Sequence, residues 1–158
     1  MILEYLQNIP SQLATVIIAV LPIFELRGAI PVAIGVYKMS VMNAYIWAVI
    51  GNMIPAFFLV LFLEGVSKRL MASSKAMNKF FNWLFDRTRR KFTHKYDKYG
   101  AAALILFVAI PLPVTGVWTA SVASFLFGIK PRIAVPYMLA GVIIAGVIVS
   151  ILSAGLIN

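Results

Sequence analysis

The chain has 158 residues, 62% of them hydrophobic and 12% charged, with a mean hydropathy of +0.95. A soluble domain carries about 25% charge, so these values exclude a water-soluble fold and predict an integral membrane protein built as one domain. The net charge is +9, but ten of the 14 basic residues lie between Lys68 and Lys98; that clustering marks a cytoplasmic loop in contact with anionic lipid and leaves nucleic acid without support as a partner.

The first residues, Met1 to Asn8, contain Glu4 and no basic run, so they do not read as a cleaved signal peptide. An apolar stretch from Ile9 to Phe24 follows, 16 residues long, and a second from Ala29 to Tyr37, nine residues long. Each is shorter than the roughly 20 residues a crossing requires. Between them lies Leu21-Pro-Ile-Phe-Glu-Leu-Arg-Gly-Ala-Ile-Pro31, a polar turn with Pro22 and Pro31 as its structural prolines. Half-helices joined inside the bilayer fit this pattern, because irregular backbone at that depth is tolerated only where protein or water satisfies it. Gly28 is expected to open the second half-helix, with Pro31 in its first turn.

Glu25 and Arg27 carry the most chemistry. Charge within the membrane is costly and usually faces a cavity or another charge. A carboxylate there can take up and release a proton or sodium ion, and a guanidinium can fork onto a phosphate or carboxylate. Glu25 is therefore the candidate ion-coupling residue and Arg27, with Gly28, the candidate substrate ligand. A structural pair holding the turn is the plainer alternative.

Met39 to Leu63 is 25 residues without a charge and is predicted to span. Asn52 and Pro55 interrupt it; Pro55 frees a carbonyl near Gly51, and Asn52 joins the candidate substrate-binding set. The basic stretch beyond it, 65–99, looks amphipathic. Met77, Phe80, Phe81, Leu84 and Phe85 keep the spacing of one helix face, which suits a helix lying in the headgroup layer, and Phe92, Tyr96 and Tyr99 continue the stripe. His94 is the single histidine and cysteine is absent, so neither a metal site nor a disulfide is expected.

A second broken segment runs Ile110-Pro-Leu-Pro-Val-Thr-Gly-Val-Trp-Thr-Ala120, with Pro111 and Pro113 in its turn. Thr115 is placed as N-cap of a half-helix opening at Gly116 and Val117. Two helix N-termini would then point inward and favour an anion, with Thr115, Gly116 and Thr119 adding polar contacts. Ile133 to Ile157 is the second uninterrupted span. Its small residues at Gly146, Ser150 and Ala154, and at Gly141 and Ala145, recur every four positions and permit close helix packing, within the chain or in a homodimer.

The order half-helix, polar turn, half-helix, span occurs twice. A shift of 90 places Gly51 on Gly141 and Gly65 on Gly155, and a shift of 88 places Gly28 on Gly116. The predicted architecture is all-α: an inverted repeat of re-entrant helical hairpin plus transmembrane helix (9–64 and 100–157), an amphipathic cytoplasmic helix between the repeats, and both termini external. Four tilted spans with short hairpins is the rival arrangement.

Together, Glu25-Leu-Arg27-Gly28-Ala-Ile-Pro31, Gly51-Asn52 with Pro55, and Pro111-Leu-Pro113-Val-Thr115-Gly116-Val-Trp118-Thr119 resemble the small multi-drug export protein family, a relative of the DedA-type (VTT/SNARE-associated) membrane proteins. The resemblance covers about residues 9 to 157. It implies two re-entrant hairpins facing one another beside two spans, and, from DedA-type relatives, the flipping of polyprenyl-phosphate lipids with acids and arginines at the hairpins. This chain departs from that pattern in its second hairpin, which has no arginine.

The expected function is a secondary transporter of the plasma membrane that moves an amphiphilic, anionic, lipid-phosphate-type substrate, coupled to a proton or sodium gradient and needing no cofactor. A proton-coupled exporter of lipophilic drugs or cations is the alternative, and a membrane scaffold or lipid sensor the third. Enzymatic activity is not expected: no acids are spaced as a catalytic pair and no phosphate-cradling Gly-rich loop with its Lys is present.

Overall fold

The computed structural model describes residues 9–83, 86, 100, 102–110 and 115–157. Its helices are α1 (Ser11–Val20), α2 (Glu25–Gly35), α3 (Val41–Ser73), α4 (Ala102–Ala109), α5 (Val117–Leu126) and α6 (Pro131–Ile157), and residues 75–83 are also helical. The family of expectations that fell on Leu84, Phe85, Phe92, His94, Tyr96, Tyr99, Pro111 and Pro113 lies outside the described residues.

Two helices are long and apolar enough to cross a membrane, Val41–Ser73 and Pro131–Leu156, with mean hydropathies of 2.3 and 2.5. The short helices α1, α2, α4 and α5 pack around them. In the first half α1 packs on α3, and in the second α4 packs on α6; α3 and α6 pack together, and the halves cross over as α5 lies on α3 and α2 on α6. The interior is lined by small side chains, with Ala14, Ala19, Ala29, Ala48, Ala120 and Ala145 buried, which lets helices approach closely. Large apolar groups such as Ile50, Phe57, Phe58, Phe62, Ile151 and Leu156 point outward, as expected where lipid rather than water is the surrounding solvent.

Helix α3 opens where Ser40, in extended conformation, accepts a hydrogen bond on its hydroxyl oxygen from the Asn43 N–H at 3.3 Å. It was expected to end at Leu63 but continues ten residues farther, because nothing between Glu64 and Ser73 breaks a helix. Glu64 and Lys68, four apart, form an ion pair on that extension. The helical residues 75–83 then fold back toward α5, where the Phe81 and Phe125 rings meet edge-on at 6.3 Å.

The first helix pair differs from expectation on both sides of its turn. The first half-helix stops at Val20 rather than Phe24, and α2 begins at Glu25 rather than at Gly28. The backbone turns through 21–24, with Phe24 N–H donating to Leu21 at 3.2 Å and Glu25 N–H to the same carbonyl at 2.9 Å. Pro31 consequently sits in the second turn of α2. Gly28 makes room for a ring: a Cβ there would lie 2.9 Å from the Phe24 Cβ.

The two glycine pairs matched by the shift of 90 have similar surroundings. A Cβ at Gly51 would meet the Val16 carbonyl at 2.7 Å on α1, and one at Gly141 would meet Val108 at 2.7 Å on α4. Gly65 and Gly155 both face open space. Gly51→Leu is thus expected to lower stability by about 3 kcal/mol through overpacking against backbone, whereas Gly65→Ala leaves it unchanged or raises it by up to about 1 kcal/mol. Thermal unfolding of the two variants in detergent, side by side, checks this; equal effects would refute the packing assigned to Gly51.

Candidate functional site

The two turns meet. Glu25 begins α2 with a left-handed backbone, φ +47°, a conformation that costs a non-glycine residue about 1–2 kcal/mol. That backbone aims its side chain across the hairpin boundary at the start of α5. There the N–H groups of Trp118 and Val117 donate to the carboxylate, and the residue is only 6% exposed. The α5 N-terminus supplies orphan donors and partial positive charge, so a carboxylate is the partner it favours.

Gly116 makes the approach feasible. Its φ of +147° suits glycine, and a Cβ on it would coincide with the Glu25 carboxylate oxygens. Gly116 is the N-cap position of α5, and no side chain of its own provides the cap. Thr115 was expected to cap this helix. Instead its hydroxyl donates to the Ile110 carbonyl at 2.9 Å. The cap arrives from Glu25, far away in the chain.

Arg27 completes the junction. Its Nη2 donates to Thr115 Oγ1 at 3.1 Å and to the Ile110 carbonyl at 3.4 Å, and it stands within electrostatic reach of Glu25. Both charged residues of the first hairpin therefore act on the second, which has no charge of its own. A third link runs the other way, from Trp118 Nε1 to the Val20 carbonyl at 3.1 Å, the last residue of α1. Leu26 and Ile30, almost fully buried, anchor α2 in the bundle.

The remaining predicted residues divide. Thr119 turns its hydroxyl to the Gly116 carbonyl at 3.2 Å within its own helix, away from Arg27. Gly28 borders Phe24 rather than the charged groups, and Pro22 lies exposed in the first turn. Asn52 is 1% exposed, and neither its Oδ1 nor its Nδ2 meets a hydrogen-bond partner among the described residues. Its neighbour Gly51 faces Val16 and Ala19, and Val20 just beyond receives the Trp118 hydrogen bond. Asn52 thus lies at the depth of the two turns without touching the charged pair through a hydrogen bond.

Trp118 is a junction residue that the sequence does not single out. A buried indole N–H usually finds a partner, which is a signal for a hydrogen bond but not for its partner at Val20, 98 residues earlier.

Because the Gly116 substitution collides with one specific group, its cost should depend on that group. Gly116→Ala alone is expected to destabilise by about 2–4 kcal/mol through backbone strain and the clash. In Glu25→Ala/Gly116→Ala the total should fall short of the sum of the single effects by at least about 1 kcal/mol. Chemical unfolding of all four proteins gives the coupling, and strict additivity would show that the carboxylate does not sit on Gly116.

No curated protein and no solved structure matches the chain. A family model does, over residues 25–148, a range that includes Glu25, Arg27, Thr115, Gly116 and Trp118. The chain belongs to the family described as "Putative small multi-drug export protein".

Proposed function

We propose that this protein is a proton-coupled secondary transporter of the plasma membrane, that Glu25 is its coupling group, and that its cargo is an amphiphilic anion of lipid-phosphate type. The observation that carries this reading is the Glu25 carboxylate seated on the N-terminus of α5 beside Arg27. While ionised, Glu25 neutralises that helix end and holds the hairpins together. Once it takes up a proton, its attraction for the Val117 and Trp118 N–H groups and for Arg27 is lost. The donors and the guanidinium then present a net positive surface of the right size for a phosphate or carboxylate. Asn52, buried with its amide unmet, supplies a further polar contact for the headgroup. Release of the proton returns the carboxylate to its cradle and displaces the cargo.

The same reading takes both hairpins as re-entrant and the two halves as an inverted repeat. The crossed packing of α5 on α3 and α2 on α6, with the matched surroundings of Gly51 and Gly141, supports it. The basic residues 65–99 would then be cytoplasmic, membrane lipids the surrounding partners and a homodimer an available assembly, while the small-residue stripe of α6 serves packing within the chain, with Gly141 against Val108 and Gly146 against Tyr45. No enzymatic step is involved. A second reading, proton exchange for a lipophilic cation, is favoured by the family description and by a buried carboxylate that such a cargo would engage directly.

In liposomes, Arg27→Ala should reduce pH-driven movement of a labelled alkyl phosphate by tenfold or more, about the effect of losing one charged hydrogen bond. Glu25→Gln, fixed in the uncharged form, should bind the alkyl phosphate with an affinity independent of pH and fail to couple it to a gradient. Undiminished transport by Arg27→Ala would overturn the anionic assignment, and inhibition by a cationic dye with indifference to anionic lipid would favour the cation exchanger. Orientation is tested separately by introduced cysteines: those replacing Asn8, Lys38 and Asn158 should label from outside, and one replacing Lys91 from inside. The reverse pattern would invert the topology.

A further inference from the structure

A cavity of about 300 Å³ opens between the far end of α3 and the connection from α5 to α6, away from the Glu25 junction. Its charged lining is Glu64, Lys68 and Lys130, with Ser67 a further polar group, and its apolar walls include Val60, Phe125 and Ile129. The two lysines come from opposite halves of the chain. Lys68 is ion-paired with Glu64, so the groove keeps a net positive charge, centred toward Lys130.

The groove lies where a membrane surface must be. At 1.5 Å per residue, the 33 residues of α3 extend about 50 Å, while the hydrocarbon layer is about 30 Å thick. The uncharged part of α3 ends at Leu63, so the turns carrying Glu64, Lys68 and Arg69 project into the headgroup layer. The helical residues 75–83 rest against this end through Phe81 and Phe125, and expose Phe80 and Trp83, aromatic groups of the kind that collect at the membrane interface.

We infer that this groove is a binding site for an anionic glycerophospholipid, whose phosphate lies between Lys68 and Lys130 and whose acyl chain runs along Val60, Phe125 and Ile129 into the bilayer. Charge complementarity selects the head, since two amines face one carboxylate. The apolar walls select a lipid over a free anion. Because it draws on both halves, an occupant would tie α3 to the α5–α6 connection.

Native mass spectrometry of the purified full-length protein, titrated with phosphatidylglycerol, phosphatidylcholine and soluble glycerol phosphate, tests the assignment. Phosphatidylglycerol should be retained about tenfold or more above phosphatidylcholine, the scale expected for two lysines at a membrane surface. Lys68→Gln/Lys130→Gln should erase that preference, and Lys68→Arg/Lys130→Arg should keep it. Glu64→Gln, which releases Lys68 from its partner, should strengthen it. Lys75→Gln/Lys79→Gln, removing equal charge from the adjoining helix, should leave it within about twofold. The site is overturned if the two phospholipids bind alike, if Lys75→Gln/Lys79→Gln loses as much as the groove variant, or if glycerol phosphate at equal concentration displaces the lipid.

Discussion

A carboxylate this deeply enclosed in an apolar bundle has to be held by its surroundings, and here the holder is a helix end. Glu25 answers the unsatisfied N–H groups of α5, and α5 answers the charge of Glu25. Each would be a liability alone. Arg27 adds its own bridge to Thr115 and Ile110, and Trp118 returns a hydrogen bond to Val20. Among the described residues, three polar links therefore join two helix pairs that otherwise pack on α3 and α6 rather than on each other. In a membrane, where apolar contact between helices gains little over contact with lipid, such links fix which surfaces meet.

The two glycine environments show how the rest of the bundle accommodates this junction. Gly51 and Gly141 let α3 and α6 approach their own short helices to backbone contact, which brings the turns at the ends of those helices to a common depth. Gly116 serves a different purpose: it leaves room for a charged group rather than for a helix. The glycines matched by a shift of 88, Gly28 and Gly116, have accordingly diverged in what they face, Phe24 in one case and Glu25 in the other.

Much of this was legible in the residues. Composition gave the class, the charge-free runs gave α3 and α6, and the paired prolines and glycines gave the two breaks. Glu25 and Arg27 stood out because intramembrane charge is rare. What was not legible was local conformation decided by distant partners. Propensity rules have no means of starting a helix on a residue at φ +47°, which is why α2 was expected to open at Gly28. Thr115 satisfied every rule for an N-cap, yet the cap is a side chain 91 positions earlier in the numbering, Glu25 to Gly116. Helix α3 runs on past Leu63 to Ser73 because charged residues end an apolar run without ending a helix.

The strained backbone at Glu25 and the uncapped start of α5 become intelligible together. Left-handed conformation at a glutamate is unfavourable by about 1–2 kcal/mol, and a helix end with orphan donors is unfavourable when buried. The Glu25 carboxyl in the cradle answers both costs at once, and most strongly when it is ionised. Remove the charge and the strain stands uncompensated while the donors look for another anion. On the proposed reading, that is what distinguishes a coupling residue from a structural ion pair: a single proton changes the sign of the balance, and the group that can restore it is the cargo.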